Sequence, residues 1–577
     1  MKQAIKSWLA TSLVRHYPAT PPSPSRTLRL HVARNEFFSF QIGLRWTLAD
    51  AEGIPRPVEV SATVEGPKDW SVRVRRVGYV PMRHHNLAAT PGESEGFEQI
   101  PGFVPDPLFD DDRIALPANE THALWISVRP KRALPPGIHR LSVKLLTGEK
   151  LLRTHTVEVR VEDVRIQPRK NFRVSNWFYC DALLDYYKLE PFEERFWEIL
   201  PAYLRNLAEH GQDTILVPVV TPATDGVKRP TQLLRVKRDR HGRYRFDWTD
   251  VRRFLRIAQE AGLRHFEWPP LFTQWGVKFA VRIYENQGED EKLLWDPETP
   301  ATDPAYEKFL SGFLPALHRF LLQAGILSES SFHLSDEPRR EHLAAYRQAR
   351  ELLKGIAPWM TFMDALSDIQ FAREGLTDMP VACIDHAMEF VEAGIPSFCY
   401  FCCSQRGRLL NRLLDTPLAK IRMSGWLFHR WPFQGFLHWG ANYWYRVSSR
   451  QLLDPFAVQH GENWPHWPSG DPFIIYPGEN GPIDSMRWEV FAESLQDQAL
   501  LQTLGVEPKG RALAMLHSFE DFPKSEAWIH ATRKAVLLAP RAPEKCKSKR
   551  SGGEAASTPQ QSEAATADAS ATGTLAL

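Results

Sequence analysis

The stretch Ser331-Phe332-His333-Leu334-Ser335-Asp336-Glu337-Pro338 decides how the chain is read, because a short apolar run ends there in two adjacent carboxylates and a proline. A strand that stops at Asp336-Glu337 leaves both acids at the rim of a sheet. There one can stay protonated and deliver a proton while the other stays ionised and steadies positive charge. That division of labour suits glycosidic chemistry. Taken alone, the same residues also fit the start of a helix, since acids favour a helix N-terminus and proline its first position. The position of this strand among the others separates the two readings.

From about residue 170 the rhythm is apolar strand, loop, amphipathic helix, and it can be counted. Eight strands are expected: Phe172 to Tyr179, Thr214 to Val220, His265 to Phe272, Ser331 to Ser335, Thr361 to Asp364, Val381 to Asp385, Ser397 to Cys403 and Gly435 to Trp444. Helical patterning follows most of them, over Phe192 to His210, Val251 to Ala261, Pro304 to Ala324, Arg340 to Leu353 and Leu413 to His429, and Ser485 to Leu504 closes the series. Eight such units predict a (β/α)8 TIM barrel with its active site at the C-terminal ends of the strands. In that count Asp336 and Glu337 end the fourth strand, Asp364 the fifth and Asp385 the sixth, so carboxylates converge on one face.

Ahead of the barrel, short alternating segments broken by Pro and Gly run over Leu28 to Arg34, Phe37 to Arg45, Val58 to Val64, Trp70 to Arg75, His122 to Val128, His139 to Leu146 and Thr154 to Val161. They predict an N-terminal β-sandwich. The expected organisation is a sandwich over 1–166, a catalytic barrel over 167–510, a C-terminal extension over 511–542 and a disordered tail over 543–577, where Ser, Ala, Thr and Gly dominate. The basic run from Arg235 to Phe246 reads as a hairpin turning at His241-Gly242 rather than a phosphate site.

Seventy-one basic against 69 acidic residues leave a net charge of +2, which argues against a nucleic-acid or anionic-membrane partner. No stretch approaches the roughly 20 apolar residues of a membrane helix. The opening segment, short and interrupted by polar residues, does not read as a signal peptide, so a cytoplasmic location is the default expectation. Cys399 and Cys402 have C-x-x-C spacing, but no second pair or nearby His completes a zinc site, so the cysteines of this segment read as buried thiols on a core strand. No metal and no organic cofactor are expected. The 19 Trp, 32 Phe and 14 Tyr supply aromatic faces for core packing and for the apolar faces of sugars.

A retaining glycosidase with two carboxylates needs a second acid about 5 Å from the first. The seventh strand, Ser397 to Cys403, and the residues after it contain no Asp or Glu. This favours substrate assistance, in which a 2-acetamido group attacks the anomeric carbon, Asp336 steadies the cyclic oxazolinium and Glu337 acts as general acid and base. Asp364 or Asp385 as second carboxylate, on another sugar, is the alternative enzyme reading. A noncatalytic glycan-binding protein on the same scaffold is the third.

Several strings together resemble the catalytic domain of glycoside hydrolase family 123, many members of which carry the label domain of unknown function 4091. They are Ser335-Asp336-Glu337-Pro338, RMSGW at 422–426, GFLHWGANYW at 435–444, GDPFIIYPG at 470–478, GPIDSMR at 481–487 and RNEFFSFQ at 34–41. The resemblance implies an N-terminal β-sandwich, a (β/α)8 barrel and β-N-acetylgalactosaminidase activity by substrate assistance. It also implies Asp336 as stabiliser and Glu337 as acid/base, and a glycan or glycoconjugate as substrate. Expected sugar contacts are residues at strand ends: Trp177, Tyr179, Gln274, Trp275, His333, Asp385, Trp439, Asn442 and Trp444. Asn442 also fits a role satisfying loop backbone, and His333 a place inside the barrel. Asp471 and Arg487 are expected to pair at the rim.

Overall fold

Alternation builds the N-terminal region. Leu141, Val143 and Leu145 on the strand Gly137–Thr147, and Val157, Val159 and Val161 on Lys150–Glu162, are all buried, as a period of two requires of one sheet face. The computed structural model describes residues 4–48, 55–190, 193–220, 231–273, 275–287 and 290–539. Within it these strands belong to a five-stranded sheet ordered Thr27–Ala33, Lys150–Glu162, Gly137–Thr147, Val58–Glu65, Arg113–Leu116. A seven-stranded sheet is ordered Ala4–Thr11, Phe38–Thr47, Thr121–Pro130, Trp70–Met82, Gly102–Phe109, Pro482–Ser485, Tyr476–Pro477. Phe40, Ile42, Leu124 and Ile126 of the larger sheet share one core with the valines and leucines of the smaller.

Seven strands stand where alternation placed them, and three were missed. Ala4–Thr11 read only as an apolar stretch, Arg113–Leu116 is four residues long, and Gly102–Phe109 carries Pro105 and Pro107, which read as strand breakers. The larger sheet is covered on both faces. Val77, Val80, Met82, Val104 and Trp125 pack with the barrel residues rather than with the smaller sheet. Its last two strands come from beyond the eighth barrel strand, with Asp484 registered against Leu108 and Ser485 against Pro107.

The barrel strands, in chain order, are Arg173–Asn176, Thr214–Leu216, His265–Trp268, Ser330–Phe332, Met363–Leu366, Met379–Cys383, Phe398–Tyr400 and Gly435–His438. Each coincides with one of the eight expected from sequence. Neighbours pair in parallel and the eighth pairs with the first. The ring is nearly closed: between the fourth and fifth strands a single parallel bridge joins Phe332 to Phe362, with Phe332 N–H donating to Thr361 O at 3.0 Å. Helices Glu194–Glu209, Thr249–Ala261, Pro304–Ala324, Leu343–Ile356 and Met486–Thr503 match the expected ones closely. The expected helix over Leu413 to His429 is shorter and split, into Leu418–Arg422 and Ser424–Arg430, and begins only after Pro417. The basic run forms the expected antiparallel hairpin, Arg235–Arg238 with Tyr244–Asp247, and Gly242 supplies the positive φ of its turn. The expected tail, 543–577, lies outside the described residues. Among the described residues, no helix is long and apolar enough to cross a membrane.

The helix Met486–Thr503 is buried nearly all round, between the larger sheet and the barrel, although it carries four charged side chains inside. Each finds a partner. Arg487 donates to Asp106 at 2.9 Å, and Glu489 accepts from Arg75 at 2.5 Å. Glu493 bonds Arg422, and Asp497 accepts from both Arg422 (2.6 Å) and Arg533 (2.8 Å). Arg75 also reaches Asp484 at 2.5 Å, and Arg533, on the C-terminal helix Glu526–Leu538, reaches Glu36. The expected Asp471–Arg487 pair does not form, because Asp106 on the sandwich strand Gly102–Phe109 takes the guanidinium instead. Breaking one partner of such a pair strands the other charge in a dry interior. Arg487→Met is therefore expected to lower the unfolding free energy by about 3–5 kcal/mol in a denaturant titration. A loss below about 1 kcal/mol would show that Asp106 is satisfied without it.

Candidate active site

The fourth strand stops at Phe332 and its chain turns sharply, leaving Asp336 and Glu337 half-buried at the barrel mouth. Glu337 holds φ +44°, and beyond the third strand Trp275, Gly276 and Val277 have φ of +55°, +120° and +58°. Left-handed backbone at non-glycine residues costs energy and persists where the surroundings impose it, commonly at functional sites. Two contacts tie these loops together. Trp275 N–H donates to Asp336 O at 3.0 Å, and Ser335 Oγ donates to Thr273 O at 2.8 Å.

Both acids face one cavity of about 350 Å³ whose walls include Trp177, Trp275, Tyr400, Trp439 and Trp467. That volume lies at the lower end of the ~300–1,000 Å³ typical of small-ligand sites. Tyr400, at the end of the seventh strand, donates its hydroxyl to Glu337 Oε1 at 2.8 Å. Burial, and then the charge of Glu337, push the Tyr400 phenol well above its ordinary value, so it stays protonated and acts as a donor.

Beneath the cavity lies an ionic layer inside the barrel. His333 is buried between Glu267 on the third strand (3.5 Å) and Asp364 on the fifth (3.4 Å). Burial pulls its pKa down, but the hydrogen bonds and charges of Asp364 and Glu267 outweigh that and raise it to about 10. Asp364 also accepts from Tyr346 Oη at 2.5 Å and from the Leu334 N–H at 3.1 Å, which staples the seam between fourth and fifth strands just before the acid turn. Glu267 in turn accepts from Trp177 Nε1 at 2.8 Å and so sets the angle of the indole on the cavity floor.

Just past the eighth strand, the neighbour of the first, Asp471 plays the same part for Trp439, accepting from its Nε1 at 2.8 Å and from Cys403 Sγ at 3.0 Å. Burial pushes Asp471 up, but donors on His438, Cys403 and Trp439 hold it below the ordinary carboxylate value. His438 takes a Gly440 N–H on Nδ1, which leaves the proton on Nε2, 3.5 Å from Asp471. Gly440 is required here: a Cβ would stand 2.5 Å from Pro472 O and 2.8 Å from Asp471 O.

A second cavity of about 680 Å³ adjoins the first. The two share Trp275, Glu337, Arg339, Tyr400, Cys402 and Ser404, so Glu337 stands on their boundary. Metal-ligand residue types gather elsewhere, at buried His210, Asp484 and Glu489. Arg75 donates to both of those carboxylates, so a buried cation already serves them.

A family model for the glycoside hydrolase 123 catalytic domain matches residues 177–504. The chain belongs to glycoside hydrolase family 123. A solved family 123 glycoside hydrolase from Clostridium perfringens, described in terms of glycolipid glycan hydrolysis, has the same fold. The TM-score is 0.69 at 14% identity, covering 92% of this chain and 96% of that one. A family 10 xylanase from termite gut aligns over 65% of this chain and 90% of its own, at 9% identity and a TM-score of only 0.29. No curated protein matches the chain by sequence. This chain is thus a glycosidase acting on a glycan.

Of the residues that the sequence singled out in this family 123 chain, the structure brings Asp336, Glu337, Trp177, Trp275 and Trp439 around the first cavity and Asp385 into the second. His333 is inside the barrel, under the floor. Tyr179, Asn442 and Trp444 lie behind the wall. Asn442 receives the Tyr179 N–H at 2.8 Å and donates to Tyr179 O at 3.0 Å, and Trp444 donates to Ile475 O at 3.1 Å. Gln274 lies outside the described residues. Asp364 is not on the rim, as the strand count had it, but fully buried in the ionic layer. Cys402 and Cys403 are partly buried on the cavity wall rather than fully buried in a core strand, because the seventh strand ends at Tyr400. Sequence reasoning missed Tyr400, Trp467 and Glu267. Tyr400 sits in an apolar run, Glu267 is a lone acid inside a short strand and Trp467 lies in a Pro-rich loop, and only the direction of each side chain marks it.

The ionic layer gives a pH signature. With its folded pKa raised from 6.5 to about 10, protonated His333 contributes stability in full below pH 6.5 and loses it as pH rises through about 10. Across that window the wild type is expected to lose stability at up to about 1.4 kcal/mol per pH unit, and His333→Gln to remove that part of the dependence. Parallel pH profiles from denaturant titrations would show that His333 carries no charge at neutral pH.

Proposed function

We propose that this family 123 chain is a retaining exo-β-N-acetylhexosaminidase of the β-N-acetylgalactosaminidase kind, working through the 2-acetamido group of its own substrate. One observation carries the reading. Among the described residues, the only acids lining the aromatic-walled cavity are Asp336 and Glu337, consecutive in the chain and on one wall. A protein nucleophile would stand across the sugar from the acid, about 5 Å away. Of the two alternatives from the strand count, Asp364 is occupied by His333, Tyr346 and Leu334, and Asp385 lines the second cavity rather than this one, where it accepts from Gln405. The attacking oxygen then comes from the sugar.

In this reading the acetamido carbonyl oxygen attacks C1 as the bond from C1 to the glycosidic oxygen breaks, and Glu337 gives its proton to that oxygen. Asp336 holds the acetamido N–H and offsets the positive charge of the oxazolinium. Glu337, now ionised, takes a proton from water as the water oxygen attacks C1 and the ring reopens, with net retention. Tyr400 fixes one oxygen of Glu337 and leaves the other for proton transfer. Trp177, Trp439 and Trp467 face the apolar side of the sugar and exclude water. Galactosamine rather than glucosamine configuration is supported by family resemblance alone.

Glu337→Gln is expected to cut kcat/KM by about 10²–10⁴ for sugars with poor leaving groups, while a dinitrophenyl glycoside, which needs no proton, keeps its first step. Asp336→Asn is expected to slow both substrates and to weaken a thiazoline mimic of the oxazolinium, since species resembling the transition state feel the stabilising charge most. Equal loss on both leaving groups in Glu337→Gln, or unchanged thiazoline affinity in Asp336→Asn, would contradict these roles.

A further inference from the structure

Two thiols on the cavity wall have no part in the proposed reaction. Cys402 and Cys403, just past the end of the seventh strand, both line the aromatic-walled cavity, and Cys402 reaches the second cavity as well. Both are free and partly buried, whereas Cys180, Cys383 and Cys399 are buried. The two neighbours also act on each other. Their mutual hydrogen bond lowers Cys402 and raises Cys403, and burial with the nearby carboxylates then holds both above the ordinary thiol value. The pair is therefore protonated at neutral pH. A disulfide suits it poorly, since Cα atoms joined by a trans peptide stand ~3.8 Å apart, inside the ~4.4–6.8 Å usual for a disulfide. An atom bonded to both sulfurs enlarges the ring and relieves that closure.

The geometry points to a dithiol binding site in the glycan cavity, in which Cys402 and Cys403 together take a monosubstituted trivalent arsenical. Sulfur ligands favour soft, thiophilic centres of this kind. Two arsenic–sulfur bonds form and the arsenic–oxygen bond breaks. The oxygen leaves as water with the two thiol protons, arsenic stays trivalent, and nothing is oxidised. The organic substituent then lies in the cavity of about 350 Å³ among Trp177, Trp439 and Trp467, whose faces suit an apolar ring. It fills the space that a sugar needs. Capture also removes the Cys403 S–H from Asp471, which loses one of the donors that hold it beside the Trp439 indole. The site is independent of which sugar the cavity takes.

Capture is read without any reaction at the sugar. Phenylarsine oxide is added to the reduced full chain and to Cys402→Ser, Cys403→Ser and Cys383→Ser, and bound arsenical and free thiols are counted by native mass spectrometry and thiol titration. The expected result is one arsenical per wild-type chain with two thiols consumed. Binding falls by about 10²-fold or more in Cys402→Ser and in Cys403→Ser, because one sulfur of a linked pair loses the effective concentration of the other. It is unchanged in Cys383→Ser. Saturation with the thiazoline mimic, its own binding followed by calorimetry, slows capture by the wild type, since both occupy one cavity. No capture by the wild type, capture that survives in either Cys402→Ser or Cys403→Ser, capture that needs Cys383, or a rate unmoved by bound mimic would overturn the inference. If the mimic does not bind, it is the proposed reaction that fails, and the dithiol site is decided by the thiol count and the serine variants.

Discussion

The Arg487 guanidinium, without exposed surface, is where three parts of the chain meet. It donates to Asp106 on the N-terminal sheet and to the carbonyls of Arg412 (3.0 Å), Gly470 (2.6 Å) and Phe473 (3.2 Å) in the loops around the barrel mouth. A buried cation that lost these acceptors would cost several kcal/mol, so its position is fixed by all of them together. The residue after Gly470 is Asp471, which aims Trp439 into the cavity. The N-terminal sheet thereby acts on the site at a distance. It holds the helix Met486–Thr503, the helix holds the 470–473 loop, and the loop sets one aromatic wall.

The cavity floor depends on a second buried charge. His333 sits between Glu267 and Asp364, beside the seam where a single bridge joins the fourth and fifth strands, and Asp364 reaches over to the Leu334 N–H two residues before the acid turn. Where backbone pairing between the fourth and fifth strands is reduced to one bridge, side-chain electrostatics takes over the joining. The same layer fixes the Trp177 indole through Glu267. Both indoles, carried just past the paired first and eighth strands, are thus held by buried carboxylates. This is the preorganisation that a sugar site needs if water is not to compete for the ring faces.

Much of this was legible in the sequence, and what was not has a common cause. All eight barrel strands and the pair Asp336-Glu337 could be read because strand and helix periods are local properties. Side-chain direction just past a strand end is not local. Trp177 and Trp439 face the cavity while Trp444 and Tyr179, equally plausible by type, turn away to satisfy backbone groups. Tyr400 looks like a core residue in an apolar run and Glu267 like a lone acid within a strand, and their roles come from neighbours on other strands. The Arg487 partner could not be read because Asp106 is 381 positions away. Gly102–Phe109 was missed because Pro105 and Pro107 mark it as a breaker, although it is held as a strand between Trp70–Met82 and Pro482–Ser485.

The account turns on the substrate supplying its own nucleophile in a cavity with acids on one wall only. Hydrolysis of 4-nitrophenyl β-N-acetylgalactosaminide beside 4-nitrophenyl β-galactoside, with the anomer formed first followed by proton NMR, tests this most directly. The leaving group is identical and only the acetamido group differs. Turnover of the acetamido sugar with retention, and none of the galactoside, is the predicted result. Comparable turnover of both, or inversion at the anomeric centre, would contradict it.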